Sequence, residues 1–351
     1  MRSMSELIIT DPVYTKKERL NFLDRTIMNF IREERDLPFV HLMIKMFLII
    51  VPMAVIMFIP GMFRWWFAGI YLAINWALFM GRYILMLHCT SHRALFKKEH
   101  EGLNKIIPWF LGPFFGESPE TYFGHHLGMH HPENNLKDDL STTMPYQRDS
   151  FKDFMTYFLI FFIKGIPDIT AYFSKKKRLK LRKRVVLGEL SWFLMVILLS
   201  LFNWHATLIV FIIPLCFTRF MMMAGNWGQH AFIDAESPGN CYRNSLTCIN
   251  SGYNKACFND GYHIIHHIKP ALHYTDMPVE FEANKATYAK EKAIVFQGID
   301  FFVVWFFLMT KSYKSLAKRY VHLDDTYVGK EDELIAFFKV RTLKIPAEKM
   351  V

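Results

Sequence analysis

Cysteine is scarce in this chain, and nothing pairs the few that occur. Cys89, Cys216, Cys241, Cys248 and Cys257 are five in 351 residues. An odd number with no Cys-x-x-Cys argues against a disulfide frame and for ordinary reduced thiols. Acidic residues are outnumbered too, 32 Asp and Glu against 42 Lys and Arg, for a formal charge of +10. Such a balance fits nucleic acid or a membrane surface, and the placement of the cations separates the two. They flank apolar runs, as Lys175, Lys176, Lys177, Arg178, Lys180, Arg182, Lys183 and Arg184 do. Cations beside apolar runs orient helices in the bilayer and attract anionic headgroups. No stretch offers a separate folded module for nucleic acid, so no nucleic-acid partner is expected. Also missing are a repeat of fixed period, a low-complexity linker and, around Arg2 to Arg19, the short apolar core of a signal peptide. Insertion is therefore expected to begin with the first spanning helix.

Apolar residues are what the chain has in plenty. They make up 52% of it, with 16% aromatic, and they are bunched. A spanning helix needs about 20 apolar residues, which residues 41–60, 67–87, 185–202 and 206–224 supply. Lys45 is the only charge in the first run and can snorkel to the headgroups. The links 61–66 and 203–205 suffice only for tight turns, so the runs pair into two hairpins. Residues 106–115, broken by Pro108, Gly112 and Pro113, are too short to span. Residues 151–166 carry Lys152, Asp153 and Lys164 and read as an interfacial helix. Residues 294–309 contain Gln297 and Asp300 and read as a buried or interfacial helix. Residues 1–40 read as a polar arm with a helix over about 15–35. The expected architecture is an all-α integral membrane protein with four transmembrane helices in two hairpins and a cytoplasmic helical cap. It divides into an arm (1–40), a domain of transmembrane hairpins with the histidine-rich segments (41–285) and a C-terminal cytoplasmic or interfacial segment (286–351). Two hairpins leave residues 1–40, 88–184 and 225–351 on one side, which the basic loops make the cytoplasmic one.

Ten of the fifteen histidines fall in clusters within those segments. His41, His100, His205, His273 and His322 are scattered and read as interfacial or solvated side chains. His88 and His92 are spaced i,i+4, which puts both imidazoles on one helix face. His126 and His130 repeat that spacing, with His125 and His131 beside them. His263, His266 and His267 form an i,i+3,i+4 stripe, and Asn226 precedes His230 by one turn. Nine well-placed imidazoles overfill one metal, since a structural zinc closes with four ligands and a catalytic one uses three and water. They suit two metals that keep open positions. Imidazole serves iron and zinc alike, so donor type alone does not choose. The second ring nitrogens need acceptors, for which Glu133, Asp138, Asp139, Asp234 and Asp260 are candidates.

Over roughly residues 40–285 the chain resembles the membrane fatty acid desaturase and hydroxylase superfamily. Its histidine boxes read here as His88/His92, His126/His130/His131 and His263/His266/His267, the last approached by Gly261-Tyr262. The resemblance implies that these eight and His230 hold two Fe(2+) ions, that Asn226 approaches a metal through water, and that O2 is the co-substrate. It implies an acyl-chain or lipid substrate, drawn from the bilayer through an apolar tunnel for which Trp109, Tyr122 and Trp227 are candidates. The first two boxes each have three intervening residues, unlike the acyl-CoA branch and like branches acting on phospholipid-, sphingolipid- or otherwise-bound chains. His126 is taken as the ligand and His125 as facing solvent or an acceptor. No His-Pro-Gly-Gly haem motif occurs; the His-Pro at 131–132 runs into Glu133. Electrons are therefore expected from a separate b-type cytochrome or a ferredoxin with its reductase. The site would face the cytoplasm, from the endoplasmic reticulum in a eukaryote or the inner membrane in a bacterium. A lipid hydroxylase on the same scaffold is the alternative activity, and a histidine-rich zinc transporter or metal-binding membrane protein the more distant one.

Overall fold

The apolar runs become helices, and their ends carry the histidines. The computed structural model describes residues 7–16 and 18–350. Among these, four helices are long and apolar enough to cross a membrane. The first is α1, Leu37–Phe58, opened by Pro38 in its first turn, where proline's missing N–H costs nothing. Gly61, at φ +77°, turns the chain into α2, Trp65–His92. A helix over residues 121–133, α3, follows in three short pieces, with a π-helical turn at His126–His130 in the middle. Then come α4, Phe151–Lys175, and α5, Leu179–Gln229.

At 1.5 Å per residue, the 51 residues of α5 reach about 75 Å, well over twice a hydrocarbon core of about 30 Å. The backbone leaves helical geometry at Asn203 (φ −154°, ψ 93°), at the expected turn between the third and fourth runs. The Asn203 side chain caps the second half by accepting from the Ala206 N–H at 3.1 Å. It also donates to the Met57 carbonyl of α1 at 3.1 Å. Two expectations change. Helix α4 runs on to Lys175, so Lys152 and Asp153 fall in its first turn, and it is long and apolar enough to span. The helix expected over 15–35 is confined to Phe22–Ile27, capped by Asn21, with a single 3-10 turn at Glu34–Asp36. Lys17 and residues 1–6 of the expected arm lie outside the described residues.

The chain divides into two compact units. The helical unit, Tyr14–Gly128 and Ile169–Phe220, holds α1, α2 and most of α5. Helix α1 buries Leu42, Met46, Ile50, Ala54 and Met57, while Leu48 and Val55 face out. Likewise Leu190, Phe193, Leu194, Ile197, Leu198 and Leu201 of α5 are exposed. A surface as apolar as the interior is what lipid solvates. Polar groups inside the unit are tied to backbone: Asn75 donates to the Phe114 carbonyl at 2.9 Å, Tyr83 to Ile107 at 2.9 Å and Thr218 to Phe115 at 2.7 Å.

The sheet-bearing unit comprises the segment up to Val13, Met129–Asp168 and Met221–Val351. Strands β1, Leu246–Ile249, and β2, Ile294–Gln297, pair in parallel with Leu246 opposite Ile294. The run expected as one helix over 294–309 therefore splits. Ile294 and Val295 favour a strand, Gly298 turns at φ +73°, and Asp300 caps α8, Phe301–Met309, through the N–H groups of Phe302 and Val303. Between the strands lie α6, His263–Ile268, and α7, Met277–Lys290. The fold is mostly helical rather than all-α.

Candidate metal centre

Six imidazoles gather in the sheet-bearing unit. His130 and His131 come from the end of α3, His230 follows α5, and His263, His266 and His267 lie on α6. His130, His230, His263 and His267 each place one ring nitrogen within 4.8 Å of those of the other three. The Nε2 atoms of His230 and His263 are 3.1 Å apart, and those of His263 and His267 3.0 Å. Facing lone pairs at that distance repel unless a cation or proton lies between them. Two ligands at right angles, each about 2.1 Å from a metal, stand about 3 Å apart, so the spacing is that of a ligand set.

Two of these rings are braced on their other faces. Asp139 Oδ2 takes the Nδ1 of His130 at 2.7 Å. The same carboxylate accepts from the Asn135 N–H and from the Ser141 N–H and hydroxyl at 2.7–2.9 Å. Asn134 and Asn135, at φ +49° and +60°, supply the left-handed turn that Asn tolerates and that brings Asp139 back under α3. His230 Nδ1 lies 2.8 Å from the Asn244 carbonyl. An Nδ1 proton held by an acceptor fixes the tautomer that leaves Nε2 to bind. Burial, with His130 nearby, pushes the His230 imidazole down to about 3. Burial and the neighbouring imidazoles of His263, His230, His130 and His131 hold His267 well below its ordinary value. Both shifts favour the neutral imidazole, the form that ligates metal.

His131 and His266 make a pair beside the quartet, their Nε2 atoms 2.9 Å apart. The sequence spacing put His263, His266 and His267 on one stripe. In α6 only the i,i+4 members join the quartet, while His266, displaced round the helix, turns to His131.

The helical unit carries a trio. His88 and His92 occupy the last turns of α2, and His126 opens the π-helical turn of α3. His92 and His126 approach to 3.0 Å between Nε2 atoms, and the His88 and His126 ring centroids are 4.6 Å apart. Tyr122 stacks on His126 at 5.2 Å. His126 and His130, expected on one face, thus belong to different groups. The wider π-turn, a feature common at functional sites, lies between their side chains. His125 is half-buried and belongs to neither group.

Asn226 donates to the Ser141 carbonyl at 2.9 Å and to the Tyr157 hydroxyl at 2.7 Å, which places its amide beside the quartet's braces. Among the other acids, Asp234 pairs with Arg341 at 3.2 Å and Arg243 at 3.6 Å, and Asp260 accepts from the Tyr253 hydroxyl at 3.0 Å. Trp227 is fully buried, with its Nε1 donating to the Arg148 carbonyl at 2.9 Å; it is core, not tunnel wall. His273 is buried against Thr275 rather than solvated. Three supports escaped the sequence reading. Asn244 acts through its carbonyl, which no residue type announces. Arg148, wholly buried, donates to the carbonyls of Ala231, Thr143, Met144 and Tyr146 around His230. Asp11 accepts from the Tyr262 hydroxyl at 2.7 Å, from the Asn250 N–H and from Asn254, which anchors the approach to His263.

A mostly helical chain with membrane-length apolar helices, and with imidazoles grouped at their ends closely enough to hold metal, has the make-up of a membrane protein with candidate metal sites. Comparison narrows the class. The family model for fatty acid desaturases matches residues 63–298, more than half of the chain, and the chain belongs to the fatty acid desaturase family. No curated protein and no solved structure matches it.

Proposed function

We propose that this chain is an acyl-lipid desaturase, introducing a double bond into a fatty acyl chain with two ferrous ions, O2 and electrons from a separate donor. The observation that carries the reading is the quartet, in which His263 Nε2 stands 3.1 Å from that of His230 and 3.0 Å from that of His267, and the outer nitrogens of His130 and His230 are braced by Asp139 and the Asn244 carbonyl. His130, His230, His263 and His267 would hold one iron. The other five imidazoles, His88, His92, His126, His131 and His266, are the donor supply for the second, an assignment that rests on the family's histidine boxes. When bound, the irons supply with O2 the power to remove hydrogen from an unactivated methylene, which no side-chain acid or base has.

The chain's own part is positional. It favours the neutral form of His230 and His267, fixes the tautomers of His130 and His230 through Nδ1, and holds Asn226 beside them. The electron donor in this reading is a b-type cytochrome or a ferredoxin with its reductase. The site faces the cytoplasm, from the endoplasmic reticulum or a bacterial inner membrane according to source.

Expression in a desaturase-deficient host followed by mass spectrometry of its lipids tests the reading. A new lipid lighter by two hydrogens is expected, and none from His266→Ala. A lipid heavier by one oxygen would assign hydroxylation on the same scaffold. One tightly bound zinc with no oxidised lipid would overturn the enzyme in favour of a metal carrier. Lipid oxidation by the purified chain with NAD(P)H alone would remove the separate donor.

A further inference from the structure

The helical unit buries an acid that neither histidine group uses. Glu117 follows Gly116, whose φ of +76° sets the chain against α5; a Cβ there would lie 2.3 Å from the Pro214 carbonyl oxygen. Glu117 is 7% exposed, and no described residue donates a hydrogen bond to its carboxyl. Its charged neighbours are Glu189 and Arg219, with the Tyr83 hydroxyl also facing it. Glu189 is well served: the Ser118 and Thr121 hydroxyls and Arg219 all donate to its Oε1. Two carboxyls thus share one guanidinium, and the group is electroneutral only if one acid keeps its proton. Hydrogen bonds to a carboxylate favour its charged form and burial without them favours the acid, so the proton belongs on Glu117. Burial pushes its carboxyl up to about 8, against Arg219 and with Glu189.

Glu117 also lines a cavity of about 510 Å³. Thr90 and Ser91, between His88 and His92 on α2, line the same cavity, as does Tyr122, which stacks on His126. The charged groups around it are Arg32, Glu101, Lys105, Glu120 and Arg184, of which Glu120 and Arg184 pair with each other. A space of this size has room for water, with hydroxyls of Thr90, Ser91 and Ser118 and the charged groups as hydrogen-bond partners, and it reaches from the acid to Tyr122 on the flank of the trio.

We propose that Glu117 is the proton-relay acid of the reaction, passing protons through the cavity to the oxygen reduced beside His88, His92 and His126. This rests on the desaturase reading, whose balance demands protons: R-CH2-CH2-R′ + O2 + 2 e− + 2 H+ gives R-CH=CH-R′ + 2 H2O. Two C–H bonds and the O–O bond break, and four O–H bonds form. The reductant supplies the electrons. Each proton leaves Glu117 through cavity water, and solvent reprotonates the carboxylate by way of the cavity.

Glu117→Gln keeps the shape and cannot donate, whereas Glu117→Asp can. In the purified iron-loaded enzyme, the wild type is expected to show an infrared band of a protonated carboxylic acid at pH 7, lost in Glu117→Gln. That variant should bind the same iron with an unchanged KM. It should make less product by roughly 10²-fold, release hydrogen peroxide in place of water, and lose the alkaline limb of the pH profile. Glu117→Asp should restore part of the coupling. A Glu117→Gln enzyme with wild-type coupling and pH profile, or a wild type without the band, overturns the relay alone. A wild type that shows the band and oxidises no lipid overturns the enzyme reading, and the relay with it.

Discussion

Asp139 shows how far single residues could be read. Its proximity in sequence to His130 made it a candidate acceptor, and the 2.7 Å contact bears that role out. Asp139→Ala removes the acceptor and frees the ring to turn. Acceptors of this kind are worth about 10- to 100-fold in metal affinity, so iron bound at the quartet should be lost to a competing chelator at a correspondingly lower concentration. Asp11 left no such trace, because its partners Asn250, Asn254 and Tyr262 lie some 240 residues away. Asp11→Ala strands these buried donors, at a cost of about 1–3 kcal/mol, and a lower melting temperature of the detergent-solubilised protein is the readout. Glu117 adds a pH dependence. Its acid form is favoured in the fold up to about 8, against an ordinary 4.5. Between those values the folded chain holds a proton that the unfolded chain has released. Its stabilising effect is complete below pH 4.5 and is lost as pH rises through 8. Melting temperature should fall across that window in the wild type and fall less steeply in Glu117→Gln.

Elements were legible where their pattern was long. The apolar runs that became α1, α2 and the two halves of α5 declared themselves by length, and Asn203 declared the break. The strand β2 did not, because an apolar run as short as Ile294-Val295-Phe296 looks alike in a strand and a buried helix; only Gly298 and Asp300 marked the change. The close approaches that seat the elements were silent as well. A Cβ on Gly188 of α5 would stand 1.6 Å from the Pro119 carbonyl oxygen. Gly188→Ala therefore forces α5 away from the loop that carries Glu117 and Ser118. The same change at Gly69 of α2 meets nothing within 4 Å. A fall in melting temperature with Gly188→Ala, and none with Gly69→Ala, is the expected contrast.

For the whole molecule, the quartet constrains the passage through the membrane. His130 precedes α4, while His230, His263 and His267 follow α5, yet their ring nitrogens meet within 4.8 Å. The chain must therefore cross the bilayer an even number of times between residues 130 and 230. Helix α4 is long enough for one crossing and α5 for two, and all three together would be odd. If the break at Asn203 divides α5 into two spans, α4 belongs at the interface, where its Lys152, Asp153, Lys164 and Asp168 would keep contact with water. The two hairpins expected from the sequence require that arrangement. Cysteines placed at Lys152 and Lys175, the two ends of α4, should react with an impermeant thiol reagent from the same side of sealed vesicles. A cysteine at Met62, between α1 and α2, should react from the other. Labelling of Lys152→Cys and Lys175→Cys from opposite sides would make α4 a span and require that one half of α5 does not cross.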